Sequence, residues 1–132
     1  MDFSSLVLME IDKETGLFIK ELGSYKATDG AEYISKMYYD GEKINLFFNT
    51  YKDVEEWEYS AIFDLFNENV FKENGYIIEE VDDEYNPTWK VEFGFIHEHQ
   101  IMENTLKKIC SLIKKEMDIV FLSIKDKEEE YM

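Results

Sequence analysis

The spacing of apolar positions changes along the chain, and the longest regular pattern lies in the last third, from about 97 to 127. There apolar residues recur every three or four positions, which is the spacing of one face of an α-helix. They are Met102, Leu106, Ile109, Ile113, Met117, Val120 and Ile124. No Gly or Pro interrupts the run. At a rise of about 1.5 Å per residue, the pattern predicts a helix roughly 40 Å long.

The first fifty residues instead show the two-residue period of β-strands. Apolar side chains on both faces of the first strand predict an inner position in a sheet. Gly16 marks one turn, and the pair Asp40-Gly41 is typical of a two-residue type I′ hairpin. Two successive hairpins predict a four-stranded antiparallel meander, with strands at 3–12, 17–25, 31–39 and 43–50.

The middle of the chain fits two patterns. Asp53 and Glu56 have the spacing of a capping box, which predicts a helix that runs to Asn74 and Gly75. Apolar and polar residues also alternate over 56–66, so a strand there, followed by a short helix, is the alternative. We prefer the helix.

A third hairpin completes the fold prediction, with strands at 76–81 and 88–96. The chain is therefore predicted to be α+β: an antiparallel β-sheet built from hairpins, one middle helix, and a long C-terminal helix packed on the sheet. We expect a single domain over 1–127, followed by an acidic, frayed tail at 128–132.

The charge of the chain argues against some classes of partner. The 132 residues include 30 acidic and 14 basic side chains, a net charge of −16, and every basic residue is Lys. Arg is the residue that proteins use most to grip phosphates and to read bases. An acidic chain without Arg is therefore not expected to bind nucleic acid or an anionic membrane surface.

Two further features predict where the protein is found. No apolar run approaches the ~18 residues of a membrane span, and the first residues lack the basic and apolar segments of a signal peptide. The single Cys110 has no partner for an internal disulfide, so we expect a buried, inert thiol. Together these features predict a cytoplasmic protein.

The only histidine pair is His97-Glu98-His99, and Glu103 lies one helical turn further on. A metal site would use these side chains. The motif, however, lies at a predicted strand–helix junction, where neighbouring side chains diverge, so we expect no metal and no cofactor. We also expect a protein that is not an enzyme, because no nucleophile–base arrangement and no phosphate-binding loop is recognisable.

The acidic charge is concentrated between 53 and 103, where 15 acidic residues accompany two lysines. Aromatic residues are interleaved with these acids, as in protein–protein hot spots, and negative charge steers a basic partner. The predicted protein-binding residues are Glu55, Glu56, Trp57, Glu58, Tyr59, Asp82, Asp83, Glu84 and Tyr85. We expect an inhibitor, an immunity-type protein or a DNA mimic that docks on a basic protein surface.

Three alternatives stay open. The acidic residues could form only a solvated surface, with the aromatic residues in the core. The C-terminal helix could form a homodimer through surplus apolar width, because Leu112, Ile119 and Phe121 extend its stripe. A pocket between the sheet and this helix, lined by Tyr and Phe, would instead indicate a small-molecule-binding or enzymatic domain.

Overall fold

One sheet and several helices make up the structure, a computed structural model that describes residues 5–26 and 28–131. In chain order the elements are β1 (Ser5–Ile11), β2 (Phe18–Lys26), β3 (Ile34–Tyr39), β4 (Ile44–Asn49), α1 (Glu56–Leu65), α2 (Asn69–Glu73), β5 (Ile77–Val81), β6 (Thr88–Phe93), α3 (His99–Ser123) and α4 (Glu128–Tyr131). The predicted α+β class is confirmed. The start of the first predicted strand, residues 3 and 4, lies outside the described residues.

The strands lie in the order β2-β1-β3-β4-β6-β5. Neighbouring strands are antiparallel except β1 and β3, which run parallel with Met9 opposite Tyr38. The predicted meander is therefore wrong, because β3 pairs with β1 and not with β2. The physical reason is burial: β1 carries the fully buried Leu8 and needs neighbours on both sides, whereas β2 is mostly exposed and lies at the edge. The predicted inner position of the first strand is confirmed.

The third strand begins three residues later than predicted. Ala31–Tyr33 forms a 3-10 turn, in which the N–H of Tyr33 donates to the carbonyl of Gly30 at 3.1 Å. Gly30 has φ 102°, a backbone conformation that residues with a side chain rarely adopt. The chain therefore makes a tight turn before it enters β3 at Ile34.

The β3–β4 hairpin forms where predicted, but with a different turn. The Asp40 carboxylate accepts the backbone N–H of Glu42 and that of Lys43, each at 2.9 Å. The loop spans four residues, of which Gly41 alone has positive φ (93°). A turn closed by an Asp side chain thus replaces the predicted type I′ turn, which needs positive φ at both central positions.

The middle helix is confirmed, with a bend between α1 and α2, and the alternative strand is wrong. The N-cap lies two residues beyond the predicted one. Glu55 occupies the N-cap position, and its N–H donates to the Glu58 carboxylate at 2.8 Å, as in a capping box. Asp53 does not cap the helix because it lies further back in the chain and accepts a hydrogen bond from Asn86 at 3.1 Å.

The long helix α3 buries the predicted apolar stripe, from Met102 to Ile124. These side chains share one core with the facing side of the sheet, where the rings of Phe48 and Trp89 stack at 5.3 Å. Cys110 is buried as predicted, and burial raises the pKa of its thiol to about 11. Within the described ranges, no helix combines the length and apolarity needed to cross a bilayer.

The end of the described chain differs from the predicted frayed tail. Residues Glu128–Tyr131 form α4, and the Tyr131 hydroxyl donates to the Asp64 carboxylate at 2.6 Å. The Tyr131 ring is half-buried and packs on the core, so an aromatic contact holds this short helix, while Glu128, Glu129 and Glu130 are exposed to solvent. Met132 lies outside the described residues.

Candidate protein-binding surface

Two acidic segments, the start of α1 and the β5–β6 connection, lie side by side. The Tyr59 hydroxyl donates to the backbone carbonyl of Glu84 at 3.0 Å, and the Asn86 amide donates to the Asp53 carboxylate at 3.1 Å. The structure thus brings together the two segments that carry the nine predicted binding residues. We call their acids the acidic surface: Asp53, Glu55, Glu56, Glu58, Asp82, Asp83 and Glu84.

The negative charge of the acidic surface is uncompensated. Within the described part of the chain, the ion pairs of the molecule use other acids. Partial burial, together with the charges of Asp82, Asp83 and Glu84, raises the pKa of Tyr59. Such a field accelerates association with a basic partner.

Two of these carboxylates hold the start of the helix. Glu55 and Glu58 form the capping box of α1, and the Glu55 carboxylate also accepts the indole N–H of Trp57 at 2.8 Å. Negative charge in the first turn also suits the positive end of the helix dipole. The other four acids of the acidic surface are exposed, and their carboxylates accept no hydrogen bond from the described residues: Glu56, Asp82, Asp83 and Glu84.

The three predicted aromatic residues differ in exposure. Tyr85 exposes 78% of its surface, whereas Trp57 and Tyr59 are half-buried. The Tyr59 ring packs edge-on against Phe63, with centroids 5.2 Å apart. Tyr85 is therefore the one of the three that offers most of its ring to a partner, while Trp57 and Tyr59 attach the acidic surface to the core.

The β5–β6 connection is a hydrogen-bonded turn that presents its carboxylates in a defined place. Asp83 has φ 65°, a conformation that Asp tolerates better than most residues. The Asn86 carbonyl accepts the Thr88 hydroxyl at 2.8 Å. Sequence analysis missed Asn86, whose side chain ties the connection to Asp53. Its one signal was its place before Pro87, in a turn of the kind that Asn favours.

The residues of the histidine motif have separate partners. His99 stacks on Tyr25 at 4.8 Å, and its Nε2 lies 3.0 Å from a carbonyl of β2. His97 packs against an aromatic ring, Glu98 caps α3, and Glu103 accepts a backbone N–H of β2 at 2.6 Å. Among the described residues, no group of three or more His, Cys, Asp or Glu side chains could hold a metal ion.

The exposed side of α3 is not a continuous apolar strip. Ile101 and Leu122 are exposed, and Lys108 and Lys115 lie between them at seven-residue intervals, on the same side of the helix. The apolar stripe itself is used in the protein's own core. Self-association through this helix stays a prediction, and the acidic surface is the better-formed candidate.

The comparisons with known proteins place the chain in a family. The sequence model of one protein family matches residues 1–132. The chain belongs to this family of unknown function (DUF6762). The comparisons with curated proteins and with solved structures gave no match. Membership of DUF6762 implies no particular activity or partner.

Proposed function

We propose that the protein binds another protein through the acidic surface, and that the partner presents a basic face. The observation that carries this proposal is the contact between Tyr59 and Glu84, which joins two acidic segments 25 residues apart into one surface. The exposed acids of that surface are unpaired within the described structure. A solvated surface would not need two such tertiary hydrogen bonds to hold its charges together.

The expected mode of binding combines steering with one anchor. Lys and Arg side chains of the partner would pair with Glu56, Asp82, Asp83 and Glu84, and the field of these acids would raise the association rate. Tyr85 would pack its exposed ring against the partner, as aromatic hot-spot residues do. An inhibitor of a basic enzyme would bind in this way, and so would a DNA mimic that occupies a nucleic-acid-binding site.

The test uses two variants with the same change in charge. The surface variant carries Glu56→Gln, Asp82→Asn, Asp83→Asn and Glu84→Gln. The control variant neutralises four exposed acids elsewhere: Glu14→Gln, Asp29→Asn, Glu73→Gln and Asp126→Asn. Each protein is used to capture partners from its native lysate at about 0.05 M and about 0.5 M salt, since screening shortens the range of charge interactions.

We expect a basic partner that the natural chain and the control variant retain at low salt. The surface variant should lose this partner, and high salt should release it. A purified partner should then bind the surface variant at least about tenfold more weakly in calorimetry, a loss of roughly 1.4 kcal/mol. Equal binding by the surface variant, equal losses in both variants, or recovery of the chain alone would contradict the proposal.

A further inference from the structure

A groove of about 540 Å³ opens between the end of β4 and the last turns of α3, remote in sequence from the β5–β6 connection. Its walls include Tyr33, Tyr51, Lys52, Asp118, Phe121 and Lys125. A smaller hollow of about 280 Å³ shares Lys52, Phe121 and Lys125 and is also lined by Trp57 and Glu58 from the start of α1. The volume of the larger groove lies in the range of small-molecule sites.

Aromatic rings form much of this groove. Tyr33 and Tyr51 meet edge to face, with centroids 6.4 Å apart and an interplanar angle of 76°. Opposite them, the Lys52 ammonium lies 4.3 Å from the centroid of Phe121. Rings from the turn before α1 and from α3 therefore border one space, which favours a planar ligand that can stack or pack edge-on.

The cationic groups of the groove have no acidic partner in the described part of the chain, although Lys52 contacts the Phe121 ring. Lys52 and Lys125 border both hollows, and neither forms an ion pair within the described residues. Asp118, the one acid of the larger groove, is already paired with Lys114 at 3.1 Å. The lining of the larger groove therefore carries two lysines and one paired acid, in a chain whose net charge is −16, while Glu58 lines the smaller hollow.

The turn that supplies Tyr51 and Lys52 is held in place by its own hydrogen bonds. Tyr51 has φ 67°, which is unfavourable for a residue with a bulky side chain. Its N–H donates to the Asn49 side chain at 2.8 Å, and the Thr50 hydroxyl donates to the carbonyl of Lys52 at 2.8 Å. The unfavourable conformation places the Tyr51 ring and the Lys52 ammonium at the groove before any ligand arrives.

We propose that this groove binds a small, planar aromatic anion, with its ring between Tyr51 and Phe121 and its negative group beside Lys52 and Lys125. Asp118 would disfavour a second negative group at the opposite end of the ligand. The smaller hollow adjoins the acidic surface at Glu58. The residues that would hold the anion are not among the acids of that surface, so either proposal can fail without the other.

The test compares two fluorescent probes that share their rings. The first is 8-anilinonaphthalene-1-sulfonate, an aromatic anion, and the second is N-phenyl-1-naphthylamine, its neutral analogue. Each is titrated into the ¹⁵N-labelled protein at about 0.15 M salt, which screens the long-range repulsion of the acidic chain. Fluorescence gives the affinity, and the amide resonances report which residues contact the probe.

We expect saturable binding of the anion, with the largest shifts at Tyr51, Lys52 and Phe121. The anion should bind about two- to fivefold more tightly than the neutral probe, because an exposed charge pair contributes up to about a factor of five. The double variant Lys52→Gln, Lys125→Gln should lose this difference and bind the neutral probe as before. Lys108→Gln, which removes an exposed charge elsewhere on α3, is the control.

Three outcomes would overturn the proposal. The first is equal affinity for the two probes in the natural chain, a comparison that needs no variant and so does not depend on whether a variant folds. The second is equal loss of anion binding in the double variant and the control. The third is a pattern of shifts at Met9, Ile11 and Phe18, which border a different hollow of about 420 Å³ on the sheet.

Discussion

Gly30 lies where the connection between β2 and β3 passes the long helix. Its φ is 102°, and a Cβ added there would overlap the backbone carbonyl oxygen of Cys110 in α3. The absence of a side chain therefore serves two purposes at once: it permits the backbone conformation and lets two segments 80 residues apart approach closely. Gly16, in contrast, has φ 75° but faces open space.

The two glycines give a matched prediction. Gly30→Ala should lower the free energy of unfolding by about 3 kcal/mol, because a positive φ costs about 1–2 kcal/mol and the overlap with α3 adds a comparable amount. Gly16→Ala should cost only about 1 kcal/mol, since it carries the backbone penalty alone. Urea unfolding measures both values. Similar losses in the two variants would show that the approach to Cys110 does not limit the side chain at position 30.

The start of α1 shows how one element serves both stability and the proposed binding surface. Glu58 reaches back to the N–H of Glu55 at 2.8 Å, and Glu55 in turn holds the Trp57 indole. Glutamate carboxylates therefore both hold the first turn of α1 and supply negative charge to the acidic surface. Glu56, between them, is exposed and takes no part in these bonds.

Glu58→Ala should lower the free energy of unfolding by about 1 kcal/mol, the usual cost of losing a helix cap. Glu58→Gln removes the same charge but keeps an acceptor for the Glu55 N–H, so its stability should stay within about 0.5 kcal/mol of the natural chain. Glu56→Ala is the control, because it removes a negative charge from the first turn but leaves the capping hydrogen bonds intact. Thermal or urea unfolding of the three variants tests this; equal losses for Ala and Gln at position 58 would contradict the capping role.

At the scale of elements, local patterns predict which residues form helices and strands but not which strands meet. The stripe of α3 and the alternation in β4 and β6 depend on each segment alone, and the structure has them close to the predicted bounds. The parallel pairing of Met9 with Tyr38 depends on a competition between distant segments. The turn signals at Gly16 and at Asp40-Gly41 show where each hairpin turns, but not whether β3 pairs with β1 or with β2.

For the candidate binding surface too, the sequence predicted the local features but not the long-range contacts. The acidic and aromatic content of the two segments singled out the candidate residues, because both are local properties. Their proximity depends on the contacts of Tyr59 with Glu84 and of Asn86 with Asp53, which join residues far apart in the chain. The half-burial of Trp57 follows from the register of the helix, which starts two residues later than the cap signal suggested.

For the whole molecule, a net charge of −16 makes stability depend on pH. Burial raises the pKa of Glu116, and burial with the neighbouring Glu68 raises that of Glu80. The folded chain therefore binds protons at these two sites at higher pH than the unfolded chain does. In the opposite direction, hydrogen bonds from backbone N–H groups lower the pKa of Asp12 and of Glu103.

The sign of the pH effect follows from these shifts. As the pH falls from neutral towards about 4.5, the ordinary pKa of a Glu carboxyl, the free energy of unfolding should rise, because Glu80 and Glu116 take up protons and the mutual repulsion of the acids decreases. Below about pH 4 it should fall again, as Asp12 and Glu103 lose the contribution of their charged forms. Urea midpoints across this range measure the profile.

Glu116→Gln separates the two causes, since it keeps the shape of this side chain, which is only 4% exposed, and removes its titration. The rise on the way down from neutral pH should become shallower in this variant, while the exposed Glu129→Gln leaves the slope nearly unchanged. A natural chain that loses stability as the pH falls over this interval would contradict the prediction.

The order of the elements also has a consequence for biosynthesis. All six strands of the described sheet precede α3, whose buried stripe completes the core on their apolar side. In a nascent chain, Phe66 and Phe71 are available to pack on Phe48 and Trp89 before α3 is made, but the α3 stripe comes last. A chain interrupted before the long helix would leave part of this apolar side open to water, as a target for chaperones and proteases.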